Sequence, residues 1–103
     1  MSAAQELDLT DPFEKVLNEM LALSRRKRHD YAQDDDPWSN FRRSADQVGA
    51  QPELAVEVLI ATKQARLREL RSKEAVNESV RDTMIDRAVY SVIALVLFDE
   101  EAV

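Results

Sequence analysis

Six charged side chains of this sequence fall where the helical period would place apolar ones. In "PELAVEVLIATKQARLREL", Val56, Leu59, Ile60, Leu67 and Leu70 recur on one helix face. Lys63 projects almost at the centre of that stripe and Arg66 at its edge. In "ESVRDTMIDRAVYSVIALVLF", the carboxylates Glu78, Asp82 and Asp86 stand four apart and share a face with Val89, Ile93 and Val96. Lys27 likewise continues the stripe of Phe13, Val16, Met20 and Leu23. A charge withdrawn from water is costly unless it is paired or met by a ligand.

Two kinds of chemistry would justify that cost. Lys63, Arg66 and Lys27 are of the type that meets phosphates, and Glu78, Asp82 and Asp86 could hold a divalent cation or sugar hydroxyls. Mg²⁺ suits such a set, because it takes one or two carboxylates together with waters and substrate phosphates. The alternative is an internal ion-pair network that only sets the register of two helices. If the two segments pair as an antiparallel hairpin turning near Lys73 to Ala75, Lys63 lies level with Asp86 and Arg66 with Asp82.

The stretch "HDYAQDDDPWSNFRR" draws attention for another reason. Asp34, Asp35 and Asp36 lack the alternating ligands, the glycine and the closing glutamate of a calcium loop, and read as a solvated turn. Asp30, Tyr31, Trp38, Asn40 and Phe41 bracket that turn where the chain returns toward the helices. They could form a lid or a base-recognition wall, with Tyr31 or Trp38 stacked on a base. Packing of Trp38 and Phe41 into the core is the competing expectation. His29 is the single histidine, which excludes a histidine metal cluster, and no nucleophile elbow surrounds a serine. Arg25, Arg26, Lys27 and Arg28 read as cations favoured in the last turn of a helix.

The elements that must position these groups are all helical. One Gly and three Pro in 103 residues starve hairpins of turns, while Ala, Leu, Glu, Arg and Val favour helix. Residues 1–10 are expected to be a flexible lead-in, and residues 11–103 a single all-α domain, a small antiparallel bundle of about four helices. Helix one begins with Asp11 as N-cap, Pro12 in the first helical position and Glu14 at capping-box spacing, and runs to about His29. "PWSNFRRSADQVG" is a short helix opened by Pro37 and ended at Gly49. A long third helix starts at Pro52, and Asn77 caps the fourth.

A net charge of −6 argues against a general nucleic-acid binder, which relies on many clustered cations. The absence of cysteine removes disulfides, thiolate metal sites and thiol nucleophiles. No apolar h-region follows a basic N-terminal segment, and the apolar run near residues 88–98 is too short to cross a bilayer. A soluble, cytoplasmic protein is expected. "VYSVIALVLF" is apolar nearly all round, so the fourth helix is also expected to make a homo-oligomer interface.

Asp30-Tyr31, Asn40-Phe41 after Trp38, Lys63-x-x-Arg66-Leu67, and Asp82-Thr83-x-x-Asp86-x-x-x-Tyr90 together span most of residues 27–97. In these motifs the chain resembles small phage and prophage proteins of the nucleotide-modification-associated domain family, distantly MazG-like all-α nucleotide pyrophosphohydrolases. The resemblance implies an oligomeric helical domain that handles a nucleoside phosphate, with Mg²⁺ on acidic side chains of neighbouring helices and Tyr90 among the ligand contacts. It further implies host cytoplasm as the location if the protein is phage-encoded. Those enzymes carry Glu-x-x-Glu and Glu-x-x-Asp pairs, whereas here helix three offers Glu53 and Glu57, four apart. Three outcomes stay open: Mg²⁺-dependent pyrophosphohydrolysis or a nucleotide-modification role, non-catalytic sequestration of a nucleotide signal against host defence, and a structural oligomer.

Overall fold

A computed structural model of the chain describes residues 6–31, 37–72 and 77–101, which form four helices and no strand. They are α1 (Pro12–Tyr31), α2 (Ser39–Gln47), α3 (Pro52–Ser72) and α4 (Asn77–Glu101). The protein is a small all-α bundle, and each helix start observed has a local cause.

At α1, Asp11 accepts the Glu14 N–H on Oδ2 at 3.4 Å and the Lys15 N–H on its carbonyl at 2.9 Å. Glu14 does not complete a capping box with Asp11. It accepts the Asp8 N–H at 3.2 Å, because the Asp11 N–H already donates to the Asp8 carbonyl at 3.1 Å. Asp8 Oδ1 also accepts the Thr10 N–H at 2.9 Å and the Thr10 hydroxyl at 2.6 Å. The lead-in is therefore already tied to α1 from Asp8 onward, earlier than the expected boundary at residue 10.

Trp38 precedes α2 and caps it with its carbonyl, which accepts the Phe41 and Arg42 N–H groups at 3.0 and 3.3 Å. The helix ends in a Schellman turn: the Ala50 N–H donates to Ala45 O at 2.9 Å and the Gly49 N–H to Asp46 O at 3.2 Å. Gly49 has φ of 68°, the left-handed conformation that such a turn requires and that side chains disfavour. Pro52 opens α3 as its first residue. Asn77 opens α4, but its expected capping side chain lies outside the described residues.

The centre of the fold is the antiparallel pairing of α3 with α4, with α2 laid across one end. Val56, Ile60 and Leu67 of α3 are buried, as are Val89, Tyr90, Ile93, Ala94 and Leu97 of α4, and Trp38, Phe41 and Ala45 at α2. α1 touches this unit along α4 through Met20 and Leu23. Glu19 meets Arg81 and, further along both helices, Lys27 meets Tyr90, so α1 and α4 run in the same sense here.

The body is flat, 41 × 39 × 24 Å. Its radius of gyration, 15.6 Å, exceeds the roughly 13 Å expected of a compact chain of this length. The open faces carry apolar side chains: Phe13 of α1 and Val92, Leu95 and Phe98 of α4 are all more than half exposed. No helix among the described residues is long and apolar enough to cross a membrane.

Candidate functional site

The charge on the α3 stripe finds its partner on α4. Lys63 Nζ lies 3.1 Å from Asp86 Oδ2, and both side chains retain only about a quarter of their exposure, 27% and 26%. Helical geometry explains the meeting. Asp86 stands three residues after Thr83 and four before Tyr90, both buried, so it lies within about 60° of the buried side of α4.

Arg66 and Asp82 do not form the second rung expected of that hairpin. Each is the neighbour of a buried residue, Leu67 and Thr83 respectively, and one residue turns a side chain by about 100°. Both are exposed, and no ion pair joins them among the described residues. Asp82 turns instead toward α1.

There it lines a cleft of about 440 Å³ between α1 and α4, with Asp86, Ile85, Arg26, Glu19 and Arg81 on its walls. One end is closed by a two-pronged ion pair in which Arg81 donates from both terminal nitrogens to Glu19 at 2.8 Å. The hydrogen bond from Arg81 holds the Glu19 carboxyl below the ordinary glutamate value, and Glu19 raises the Arg81 guanidinium in return. Lys27 also projects from α1 onto α4. Its Nζ stands 5.0 Å from the Tyr90 ring centroid and donates to the Tyr90 hydroxyl at 3.5 Å, so an ammonium covers a buried aromatic.

The remaining expected site residues separate into three groups. Phe41, 9% exposed, and Trp38, 8% exposed, pack on each other at 6.3 Å between ring centroids and belong to the core; a free stacking platform is thereby removed at Phe41. Trp38 still reaches a second cleft of about 360 Å³ between α1 and α4, whose walls are Leu17, Met20, Val92 and Val96 with Ser24 and Arg28. Asn40 is exposed, and its side-chain oxygen accepts from Arg43 at 3.5 Å. Only the backbone of Asp30, Tyr31 and Glu78 is described, and Asp34, Asp35 and Asp36 lie outside the described residues.

No family model matches the chain, and it matches neither a curated protein nor a solved structure. What the site can do therefore rests on its geometry. Two carboxylates one turn apart, Asp82 and Asp86, face a cleft that also holds a guanidinium. That combination can meet a phosphate and a sugar or cation together. No group of three His, Cys, Asp or Glu side chains suited to a metal occurs among the described residues.

Several contributors escape a stripe-by-stripe reading. Glu19, Arg26 and Arg81 lie on polar faces, and only the crossing of α1 over α4 makes them cleft walls. At the far end of the bundle, Glu101 of α4 meets Glu53 of α3. The hydrogen bond with Glu53, then burial and the Glu53 charge, raise the Glu101 carboxyl above its usual range, with Arg42 opposing. Glu53 Oε2 is buried there with no hydrogen-bond partner among the described residues, and Arg42 pairs with Glu100 alongside. The carboxylate that meets Glu53 thus comes from α4 and not from its own helix.

Proposed function

We propose that the α1–α4 cleft binds a nucleoside phosphate, with Lys27, Lys63 and Arg26 serving the phosphates and Asp82 and Asp86 serving ribose hydroxyls or a phosphate-bound Mg²⁺. The observation that supports this most is the half-buried Lys63–Asp86 pair, whose Asp86 lines a cleft together with Asp82 and Arg26, with Lys27 set on Tyr90 one turn further along α4. Inward charges brought to one cleft are what recognition of a polar ligand needs.

The donor set fits Mg²⁺ in its usual habit of one or two carboxylates plus waters and phosphate. Lys63 occupies Asp86 Oδ2, leaving Oδ1 and the Asp82 carboxylate for such an ion. Bound there, Mg²⁺ would supply charge neutralisation and a polarised water for pyrophosphohydrolysis. Because Lys63 already neutralises Asp86, the residues favour holding a nucleotide over activating water, and sequestration of a nucleotide signal in a host cytoplasm is the form of the activity we favour. Titration calorimetry with a nucleotide panel, with and without Mg²⁺, tests it. A dissociation constant below millimolar, weakened about tenfold or more in Lys63→Met, is the expected result. Failure of every nucleoside phosphate to bind at millimolar concentration overturns the proposal.

A second proposal concerns assembly. Val92 (53% exposed), Leu95 (58%) and Phe98 (56%) leave apolar side chains along α4 that water covers in the isolated chain, and Phe13 (71%) does the same at the start of α1. We infer a homo-oligomer formed through α4. Sedimentation at micromolar concentration should show a dimer or larger, and Leu95→Glu with Phe98→Glu should dissociate it. A wild-type monomer would exclude it.

A further inference from the structure

On the other edge of the α3–α4 seam lies a second charged groove, of about 440 Å³, with a different character. Its walls are Arg68 and Arg71 of α3, Arg87 of α4 and Gln64, and its floor is Leu67, which is 4% exposed. Among the described residues no carboxylate lines it. None of the three arginines has an ion-pair partner among the described residues, although the chain carries 20 acidic residues and a net charge of −6. Elsewhere the same helices do pair their cations, Lys63 with Asp86 and Arg81 with Glu19.

The groove is separate from the α1–α4 cleft by construction. Asp86 and Arg87 are consecutive, so their side chains diverge by about 100° and leave α4 on opposite sides of the line that faces α3. Three like charges around one groove repel one another. Holding them together is favourable when an anion lies between them, and guanidinium groups bind phosphate oxygens through paired, charge-assisted hydrogen bonds.

The spacing narrows the class of anion. Gln64, Arg68 and Arg71 share one face of α3, and the seven steps from first to last rise about 10 Å along the helix. Arg87 supplies the opposite wall. A row of that length exceeds one phosphate and matches a short chain of linked phosphates. Three cations are too few for a nucleic-acid backbone, whose affinity grows with the number of phosphates neutralised, particularly on an acidic protein.

We propose that Arg68, Arg71 and Arg87, assisted by Gln64, form a binding site for the phosphate chain of a free di- or triphosphate, inorganic or nucleosidic. This site does not rest on the nucleotide reading of the α1–α4 cleft.

Its test is local to the groove. The side-chain Nε–H resonances of the three arginines, identified by their loss in the Arg68→Gln, Arg71→Gln and Arg87→Gln variants, are followed by NMR during titration with inorganic tripolyphosphate. Joint, saturating shifts with one midpoint are expected, and each single variant should weaken that midpoint for the remaining two arginines by about tenfold. A parallel titration with a nucleoside triphosphate distinguishes the sources: an equal midpoint means that the phosphate chain alone is read, and a much tighter one that the nucleoside is bound too. Both keep the site. Shifts that do not saturate, equal response to inorganic monophosphate, or a tighter response to a short DNA duplex at equal phosphate concentration would overturn it. Shifts confined to Lys27 and Lys63 would overturn it as well, while supporting the α1–α4 cleft.

Discussion

The Lys63–Asp86 pair can be cut from either side, and the two cuts have different consequences. At 3.1 Å, two unit charges attract by about 5 kcal/mol in an effective dielectric of ~20. Most of that is offset by withdrawing both groups about three-quarters from water. Exposed pairs contribute ~0.2–1 kcal/mol, and breaking a fully buried one costs ~3–5 kcal/mol. With about a quarter of each side chain still wet, Lys63→Met should cost about 1–2 kcal/mol, because Asp86 is left half-buried and unpaired. Asp86→Leu should cost a similar amount for the mirror reason. The double variant Lys63→Met/Asp86→Leu removes both charges from an apolar stripe and should return to within about 1 kcal/mol of the parent, or exceed it. Urea unfolding followed by circular dichroism reads the cycle, and each kcal/mol corresponds to roughly 4–8 °C in melting temperature for a domain of this size. Strictly additive single costs would refute the coupling and with it the register assigned to α3 and α4. Nucleotide titration of the stabilised double variant then separates structure from function: retained stability with lost affinity supports the binding proposal, and retained affinity refutes the role given to these two side chains.

Three further outcomes follow from the packing. Leu97, 1% exposed, should cost about 3 kcal/mol on truncation to Ala and lower the melting temperature by more than ~10 °C in a calorimetric scan. Gly49→Ala should cost about 1 kcal/mol in urea unfolding although no atom lies within 4 Å of the added Cβ, because the penalty is that of φ at 68° alone; a neutral result would contradict the Schellman turn. Two ion clusters should respond to acid with opposite sign. The Glu19 carboxyl is depressed in the fold, so its contribution is present above the ordinary glutamate value of about 4.3 and disappears as pH falls through its folded value. Glu101 is raised, so its shared proton stabilises at low pH and that contribution disappears as pH rises through its folded value. Pairwise comparison of Arg81→Gln and Glu53→Gln against the parent across pH 3–7 should show the first losing the acid-side decline and the second losing the low-pH gain.

Much of the architecture is legible along the chain because its causes are local. Pro12 and Pro52 lie at the first helical positions, Asp11 accepts the first-turn N–H, and Gly49 closes α2, all through contacts a few residues apart. Periodicity also foretold that Lys63 and Asp86 face one another, since a hairpin with a known turn has only one level register. It could not resolve the companion pair. Arg66 and Asp82 are at the right height but one residue removed from Leu67 and Thr83, and a 100° turn takes each away from the seam.

The sequence by itself determined the four helices and the charges that interrupt their apolar stripes, because capping, turn chemistry and the 3.6-residue period act over less than two turns; the bounds shifted by about two residues where α1 runs on to Tyr31 and α2 starts at Ser39 and not at Pro37. Tertiary structure alone decided which cleft those charges share. The passage of α1 along α4 brings Arg26, Glu19 and Arg81 beside Asp82 and Asp86 and joins Lys27 to Tyr90, while the packing of α2, α3 and α4 draws Glu53 to Glu101 and buries Phe41 in place of offering it to a ligand. The α3–α4 seam also gathers Arg68, Arg71 and Arg87 into one groove that no carboxylate of the described residues lines. Each of these meetings joins residues on different helices, and their geometry depends on crossing angles and side-chain volumes that no local pattern encodes.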